Sequence, residues 1–271
     1  MLFILLILGL IFGSFINALV WRLFLKLNQP KNKNPDYSIL KGRSMCPNCK
    51  NRLSVIDLIP LFSWLALTGK CRYCHKRISL QYPLVELITS FSFVVSYISW
   101  PYSFNLVGKS LFVIWLGVIL LLITLAVYDF KYKILPNSMV YMVIGLSILF
   151  VFIYFLNFEN SFSYILSRFL GILFSAGFFY LIFITSDGKW IGGGDVKLCV
   201  ALGLLLGGPI STVLMLFIAS FSGCLVALFL VITKQFKPKM TIAFGPLLII
   251  STIICFLYDT QILNWYTKII G

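Results

Sequence analysis

The sequence predicts an all-α integral membrane protein, with about eight transmembrane helices and a cytoplasmic zinc-ribbon-like loop domain between the first and second helices. Two observations predict the membrane class: 60% of the 271 residues are hydrophobic, and apolar runs of about 20 residues, the length that crosses a bilayer, recur along the chain. A third observation, two Cys-x-x-Cys motifs in one basic loop, predicts the zinc domain. Because backbone hydrogen bonds must close internally in lipid, the spans are expected to be helices.

Hydropathy divides the chain into one span, a polar region and seven further spans. The predicted domains are a first transmembrane helix at 1–21, a cytoplasmic zinc-binding domain at 22–82 and a seven-helix membrane domain at 83–271. We interpret the first segment as a retained helix, because it lacks a basic start and a basic loop follows it at once. The sixth segment is short, which indicates a tilt or a start inside the protein. The predicted spans are 2–21, 83–101, 109–128, 138–157, 163–185, 195–208, 210–232 and 241–259.

Positively charged residues set the predicted orientation. Of the 22 Lys and Arg residues, 19 fall in the region 22–82 or in the loops and helix ends on the same side. Cytoplasmic loops carry the excess of Lys and Arg, so this side is expected to face the cytoplasm. We therefore expect a multi-pass protein of the cytoplasmic membrane, in contact with lipid. The same asymmetry accounts for the net charge of +14 without any nucleic-acid partner, and we expect none.

Four cysteines in the predicted cytoplasmic loop have the spacing of a metal site. Cys46 and Cys49 form one Cys-x-x-Cys pair, and Cys71 and Cys74 form the second. Disulfides are disfavoured in the cytoplasm, and four thiolates around one ion leave no open coordination position. The pattern predicts structural zinc; a redox dithiol is the alternative, and no βαβ pattern supports it. His75 follows the second pair and is interpreted as an exposed loop residue.

Two acidic residues lie at the cytoplasmic ends of predicted spans. Asp129 ends the third span, and Asp195 opens the sixth directly after Gly192, Gly193 and Gly194. An acid beside hydrocarbon is costly and by default marks a functional site, and glycines let another backbone approach closely. Two carboxylates at one interface can act as base toward water and as acid toward a leaving amine. The pattern predicts aspartic-protease chemistry. In the simpler alternative, each acid is a polar residue at a helix end and has no catalytic role.

Two further charged residues, Glu86 and Lys197, flank the proposed acid site. They either balance each other's charge or act separately, with Glu86 capping the second span near Arg77.

Motifs along nearly the whole length resemble those of bacterial prepilin peptidases, the type IV leader peptidases of the GxGD membrane aspartic protease family. The similarity runs from the first predicted span, through both cysteine pairs, to the last span. The matching motifs are Gly13-Ser14-Phe15-Ile16-Asn17, Arg43-Ser44-x-Cys46-x-x-Cys49, Cys71-x-x-Cys74, Tyr82-Pro83-Leu84-Val85-Glu86, Asp129 with Leu135-Pro136-Asn137, Gly192-Gly193-Gly194-Asp195-Val196-Lys197-Leu198, and Phe244-Gly245-Pro246.

This resemblance implies an activity and its residues. Family members cleave short basic leaders from prepilins and pseudopilins of type IV pilus and protein secretion systems at the cytoplasmic face. Many also N-methylate the new terminus with S-adenosylmethionine, an activity associated with the metal-bearing loop. By the resemblance, Asp129 and Asp195 are the catalytic pair and the four cysteines are zinc ligands. Lys131 and Asn137 stand where the family often has acids; neither change removes a catalytic carboxylate.

Two other functions compete with the peptidase. A cation or proton transporter would use the paired acids for binding, but transporters place such acids near the bilayer midplane and have internal repeats. A non-enzymatic pilus or secretion assembly factor would use the zinc loop for docking. The sequence favours the peptidase over both.

Overall fold

A computed structural model of the chain describes residues 1–28, 38, 42–235 and 242–270. Parts of the predicted loops, at 29–37, 39–41 and 236–241, lie outside these residues, as does the first residue of the last predicted span. Within the described ranges the regular structure is helical, apart from two isolated β-bridges. The chain divides into two compact units, Met1–Ile98 and Ser99–Gly271.

The first unit is built on two packed helices, α1 (Leu2–Asn28) and α3 (Gln81–Ile98), with the short helix α2 (Phe62–Ala66) in the connection between them. A Cβ on Gly13 of α1 would lie 2.6 Å from the Cα of Glu86, so the two helix backbones touch there. Small residues allow such close contact between membrane helices. Asn17, one turn further along α1, donates its side-chain amide to the carbonyl of Tyr82 at 3.1 Å.

The described part of the second unit contains seven helices, with one π-helical turn, Leu173–Gly177, between the third and fourth. Its central element is α8, whose middle is buried on all sides: Leu198, Cys199, Ala201 and Leu202 have no exposed surface. The helices are α4 (Leu106–Tyr132), α5 (Asn137–Asn157), α6 (Phe162–Ile172), α7 (Phe178–Thr185), α8 (Gly193–Leu206), α9 (Pro209–Ile232) and α10 (Gly245–Ile270).

Hydrogen bonds from α6 and the π-turn fix the position of α8. The Arg168 guanidinium donates to the carbonyls of Leu204 and Leu205, at 3.1 and 2.7 Å, where α8 ends. A cation is favourable at a helix C-terminus, as an acid is at an N-terminus. In addition, the Ser175 hydroxyl donates to the carbonyl of Cys199 at 2.9 Å. These contacts hold in place the helix whose first turn carries Asp195.

The structure confirms a multi-pass, all-helical membrane protein, but it does not confirm eight spans. In the described part of the chain six helices are long and apolar enough to cross a bilayer: Leu2–Asn28, Leu106–Tyr132, Asn137–Asn157, Phe162–Thr185, Pro209–Ile232 and Gly245–Ile269. The two other predicted spans form helices α3 and α8. With 14 residues, α8 rises only about 21 Å, short of the ~30 Å hydrocarbon core. Polar side chains such as Glu86, Thr89 and Ser90 lower the hydropathy of α3.

Candidate active site and metal centre

The two predicted catalytic acids meet in the second unit, at the ends of three helices. Asp129 lies in the last turn of α4, and Asp195 lies in the first turn of α8. Gly245, the first residue of α10, lies beside both of them. A Cβ built on Gly245 would lie 2.7 Å from Oδ2 of Asp129 and 3.6 Å from Oδ1 of Asp195. One oxygen of each carboxylate therefore borders the space that a side chain at position 245 would fill.

Helix N-termini lie beside both carboxylates. Gly245, the first residue of α10, is next to the Asp129 carboxylate. Asp195 itself lies in the first turn of α8, where Gly192 is next to its carboxylate. Helix N-termini stabilise negative charge. A negative charge at the C-terminal end of a helix is electrostatically unfavourable. For Asp129, the N-terminus of α10 offsets this cost.

One carboxylate oxygen is left for another partner. Oδ1 of Asp195 is buried and has no hydrogen-bond partner among the described residues. Buried polar atoms are normally satisfied by protein or by ordered water. This orphan acceptor is the atom that lies nearest Gly245 on the Asp195 side, so a water or a shared proton between the two acids would satisfy it.

The glycine run brings α8 against the chain that follows α4. A Cβ on Gly194 would lie 2.9 Å from the Cβ of Leu135, so no larger residue fits there without movement. Gly193 faces the Phe183 ring at an ordinary contact distance, and Gly192 lies beside the Asp195 carboxylate. Close approach is therefore required at Gly194 in particular.

A cavity of about 590 Å³ opens onto the acid pair. Its wall combines apolar and basic side chains, which suits a peptide with both kinds of group. The lining residues include Asp129, Asp195, Lys133, Lys189, Trp190, Phe179, Ile182 and Phe244. Lys133, Lys189 and Trp190 were not predicted as site residues; the signal for the lysines is their place in the basic loops beside each acid. Gly245 was matched only as part of a motif, and no role was inferred for it.

The two supporting charged residues have partners inside their own units. Lys197 donates to the side-chain carbonyl of Asn137 at 3.0 Å, which ties the first turn of α8 to the start of α5. In the first unit, the carboxylate of Glu86 accepts a hydrogen bond from the backbone N–H of Leu61 at 2.8 Å, and the Glu86 backbone contacts Gly13 of α1. Glu86 therefore joins the loop to both of its flanking helices.

The four predicted metal ligands come together in the first unit. All four Sγ atoms lie within 4.8 Å of one another, and those of Cys46 and Cys74 are 3.9 Å apart. Tetrahedral zinc with Zn–S bonds of about 2.3 Å requires S···S distances of roughly 3.8 Å. The thiol set therefore fits one Zn²⁺ ion with little movement.

The two cysteine pairs form matching turns. In each turn the first cysteine accepts a hydrogen bond at 2.9 Å from the residue after the second cysteine, Lys50 in one case and His75 in the other. Both of these residues have positive φ, 58° and 56°. His75 thus has a backbone role in its turn, and the metal cluster consists of cysteines alone.

An ion pair closes the loop between the two turns. Nε of Arg72 lies 2.7 Å from Oδ1 of Asp57, and the Ser54 hydroxyl donates to the same carboxylate at 2.8 Å. Partial burial acts to raise the pKa of Asp57, but the hydrogen bonds from Ser54 and Arg72 outweigh it and hold the pKa below its usual range.

Comparison with known proteins adds two matches to family models. Residues 7–100 match the Bacterial Peptidase A24 N-terminal domain, and residues 116–231 match the Type IV leader peptidase family. The second match contains both Asp129 and Asp195, and the first contains all four clustered cysteines. No solved structure matches the chain significantly.

Curated relatives match over most of their length. One is a Prepilin leader peptidase/N-methyltransferase of Pectobacterium carotovorum, 34% identical over 262 residues, covering 90% of this chain and 88% of that protein. A protein of the same name from Bacillus subtilis is 33% identical over 270 residues and covers 99% and 98%. Another, from Vibrio cholerae, is 36% identical over 209 residues and covers 74% and 76%. With this identity over nearly full-length relatives, the chain belongs to the type IV leader peptidase family.

Proposed function

We propose that this chain is a membrane-embedded aspartic endopeptidase that removes the leader peptide of type IV prepilins or pseudopilins at the cytoplasmic face, and that it N-methylates the new N-terminus with S-adenosylmethionine. The observation that carries the peptidase is that carboxylate oxygens of Asp129 and Asp195 border the same space beside Gly245. The names of the relatives, Prepilin leader peptidase/N-methyltransferase, support both activities and the substrate class.

The acid pair can perform hydrolysis without a metal or a nucleophilic side chain. Two carboxylates that share a site favour the state in which they hold one proton between them. The ionised carboxylate takes a proton from water, whose oxygen attacks the scissile carbonyl carbon. The protonated carboxyl then gives its proton to the amine nitrogen as the C–N bond breaks. Asp129 and Asp195 are the two groups, and the cavity beside them receives the peptide.

The charge distribution supports a cytoplasmic position for this site. Lys133 and Lys189, which line the cavity, lie in loops that the charge asymmetry assigns to the cytoplasmic side. A substrate that keeps its apolar helix in the bilayer would then present the end of its leader to the acid pair from the cytoplasmic membrane boundary.

The methylating activity rests on the names of the relatives, Prepilin leader peptidase/N-methyltransferase. The described residues contain no strand followed by a glycine-rich turn and a helix, the unit that commonly holds a dinucleotide.

The proposed function is tested with the purified full-length chain in lipid and a prepilin that retains its transmembrane helix. Intact-mass measurement is expected to show loss of the leader, and a further gain of one methyl group when S-adenosylmethionine is present. A transporter would leave the prepilin mass unchanged and drive cation flux in liposomes. An assembly factor would bind the prepilin and leave its mass unchanged.

Zinc content provides a separate prediction for the first unit. We expect about one zinc per chain by elemental analysis, because four thiolates close one tetrahedral site. Cys71→Ser removes a buried ligand and is expected to reduce the zinc content to near zero after dialysis. Cys224→Ser is the matched control, since Cys224 is exposed on α9 and lies outside the cluster. Equal zinc content in the two variants would contradict the assignment.

A further inference from the structure

The connection between the two cysteine pairs exposes a group of large apolar side chains. Four of its side chains, those of Val55, Ile56, Phe62 and Leu65, are 63–83% exposed. Isolated exposed apolar residues are common, but a contiguous group in one short stretch marks a contact with lipid or with another molecule. We call residues 55–65 the apolar segment.

The apolar segment presents no charge to its surroundings. Between residues 53 and 69 the only charged residue is Asp57. Its side chain is 3% exposed and is paired with Arg72. The exposed face of the segment is therefore neutral and largely hydrocarbon, although the loop that contains it is strongly basic.

A hydrogen bond fixes the depth of this segment relative to the membrane helices. Leu61 donates its backbone N–H to the carboxylate of Glu86, whose backbone contacts Gly13 in the middle of α1. The start of the described loop is held at a different level, where Arg22 donates to the carbonyl of Gly42 at 2.8 Å. Gly13 and Arg22 are nine residues apart on α1, which corresponds to roughly 14 Å along the helix axis. The chain thus folds back toward the membrane centre between Gly42 and Leu61.

The backbone at Leu61 forms a tight turn whose free N–H is satisfied within the protein. Leu61 has φ 61° and ψ −52°, and Phe62 donates to the carbonyl of Pro60 at 2.6 Å. This is a γ-turn, a strained conformation for a residue other than glycine. The turn leaves the N–H of Leu61 free to bind outside it, and Glu86 accepts that bond. A backbone donor near lipid must be satisfied within the protein.

Charges around the apolar segment complement an anionic lipid surface. The loop from 42 to 80 contains a single acid, Asp57, and seven basic residues: Arg43, Lys50, Arg52, Lys70, Arg72, Lys76 and Arg77. Basic residues next to a membrane are attracted to anionic headgroups, and apolar side chains enter the boundary between headgroups and acyl chains. Both properties occur in this loop, on a chain that enters the membrane at α1.

We propose that the apolar segment inserts into the headgroup–acyl boundary of the bilayer that α1 crosses, with the basic residues of the loop on the lipid headgroups. The segment anchors the zinc-bearing loop to the membrane surface through Phe62, Leu65, Val55 and Ile56, and Glu86 holds its turn at the required depth. This anchoring is independent of the peptidase activity, because it depends only on the first unit.

The test uses an added tryptophan in the full-length protein, reconstituted into bilayers of phosphatidylcholine and phosphatidylglycerol with or without brominated acyl chains. Phe62→Trp places an indole in the apolar segment. Lys76→Trp is the control at an exposed basic position, which the proposal assigns to the headgroups, outside the acyl chains. The difference spectrum against the unsubstituted protein isolates the added indole. We expect bromine to quench the Phe62→Trp signal at least about twofold more strongly than the control signal, because interfacial side chains lie ~5–10 Å inside the headgroup boundary.

Equal quenching of the two variants would overturn the proposal. Red-shifted emission from Phe62→Trp would then place the segment in water, and blue-shifted emission without bromine quenching would show that protein covers it. Leu65→Trp, on the same segment, repeats the measurement if Phe62→Trp does not reconstitute.

Discussion

Asp195→Asn is expected to abolish leader cleavage while the protein remains folded in the membrane. The substitution is nearly isosteric, but an amide cannot take a proton from water or give one to the leaving amine. Because the pair must act as both base and acid, we expect the turnover number to fall at least about a thousandfold. Asp129→Asn should have the same effect. The measurement is the rate of leader loss from a prepilin by intact mass, with thermal unfolding of the variant in detergent or nanodiscs as the check on folding.

A double variant of the two aspartates, and a control substitution at a distant acid, test this prediction further. Residues that act as one unit are strongly non-additive, so Asp129→Asn combined with Asp195→Asn should be no slower than either single variant. Glu159→Gln is the control, because Glu159 is exposed beyond the end of α5 and does not line the cavity. Cleavage at the normal rate by either aspartate variant would exclude the acid pair as the catalytic group.

The sequence alone predicted the four-cysteine cluster and the pair of aspartates, because both consist of a few polar residues in an otherwise apolar chain. Cys46, Cys49, Cys71 and Cys74 are recognisable because their spacing matches two metal-binding turns, and the structure brings their sulfurs together. The position of the two acids was predictable because the two helix ends lie in the same predicted leaflet. Their contact required one further assumption, that α4 and α8 end next to each other.

The eight predicted spans are not confirmed, and the number of spans stays a prediction, because hydropathy does not distinguish lipid from protein as the apolar surroundings of a helix. The central residues of α8 are as apolar as those of a span, but they are buried against neighbouring helices. An apolar stretch of 10–14 residues is more often a core helix than a span. Similarly, α3 contacts α1 through polar and small positions, which lowers its average hydropathy without moving it away from its partner.

Contacts that form because a glycine has no side chain also could not be predicted from the sequence. Gly245 lies about 50 residues after Asp195 and more than 100 after Asp129, so no local pattern connects them. Its importance follows only from the positions of the carboxylate oxygens around it. The turn at Leu61 is a comparable case, because leucine gives no sign of the positive φ that the structure assigns to it.

Gly245→Ala is expected to inactivate the enzyme through the added methyl group. The new Cβ would lie 2.7 Å from Oδ2 of Asp129, closer than non-bonded atoms can approach, so the Asp129 carboxylate must move. The backbone N–H of residue 245 is kept, and alanine is well tolerated in the first turn of a helix. A displacement of about 1 Å at a reacting group can cost roughly a hundredfold in rate. We therefore expect the turnover number to fall about a hundredfold, with little change in KM for the prepilin or in thermal stability.

Gly223→Ala serves as the matched control for this variant. Gly223 lies on α9 beside Phe244 and Leu247, and a Cβ there meets its nearest neighbour at 3.4 Å, an ordinary contact. It should therefore retain the normal turnover number. A Gly245→Ala enzyme with normal turnover would show that the carboxylate of Asp129 acts from a different position during catalysis, and the present arrangement of the pair would then represent a resting state. A parallel loss of turnover and thermal stability would indicate instead that Gly245 is needed for the packing of α10.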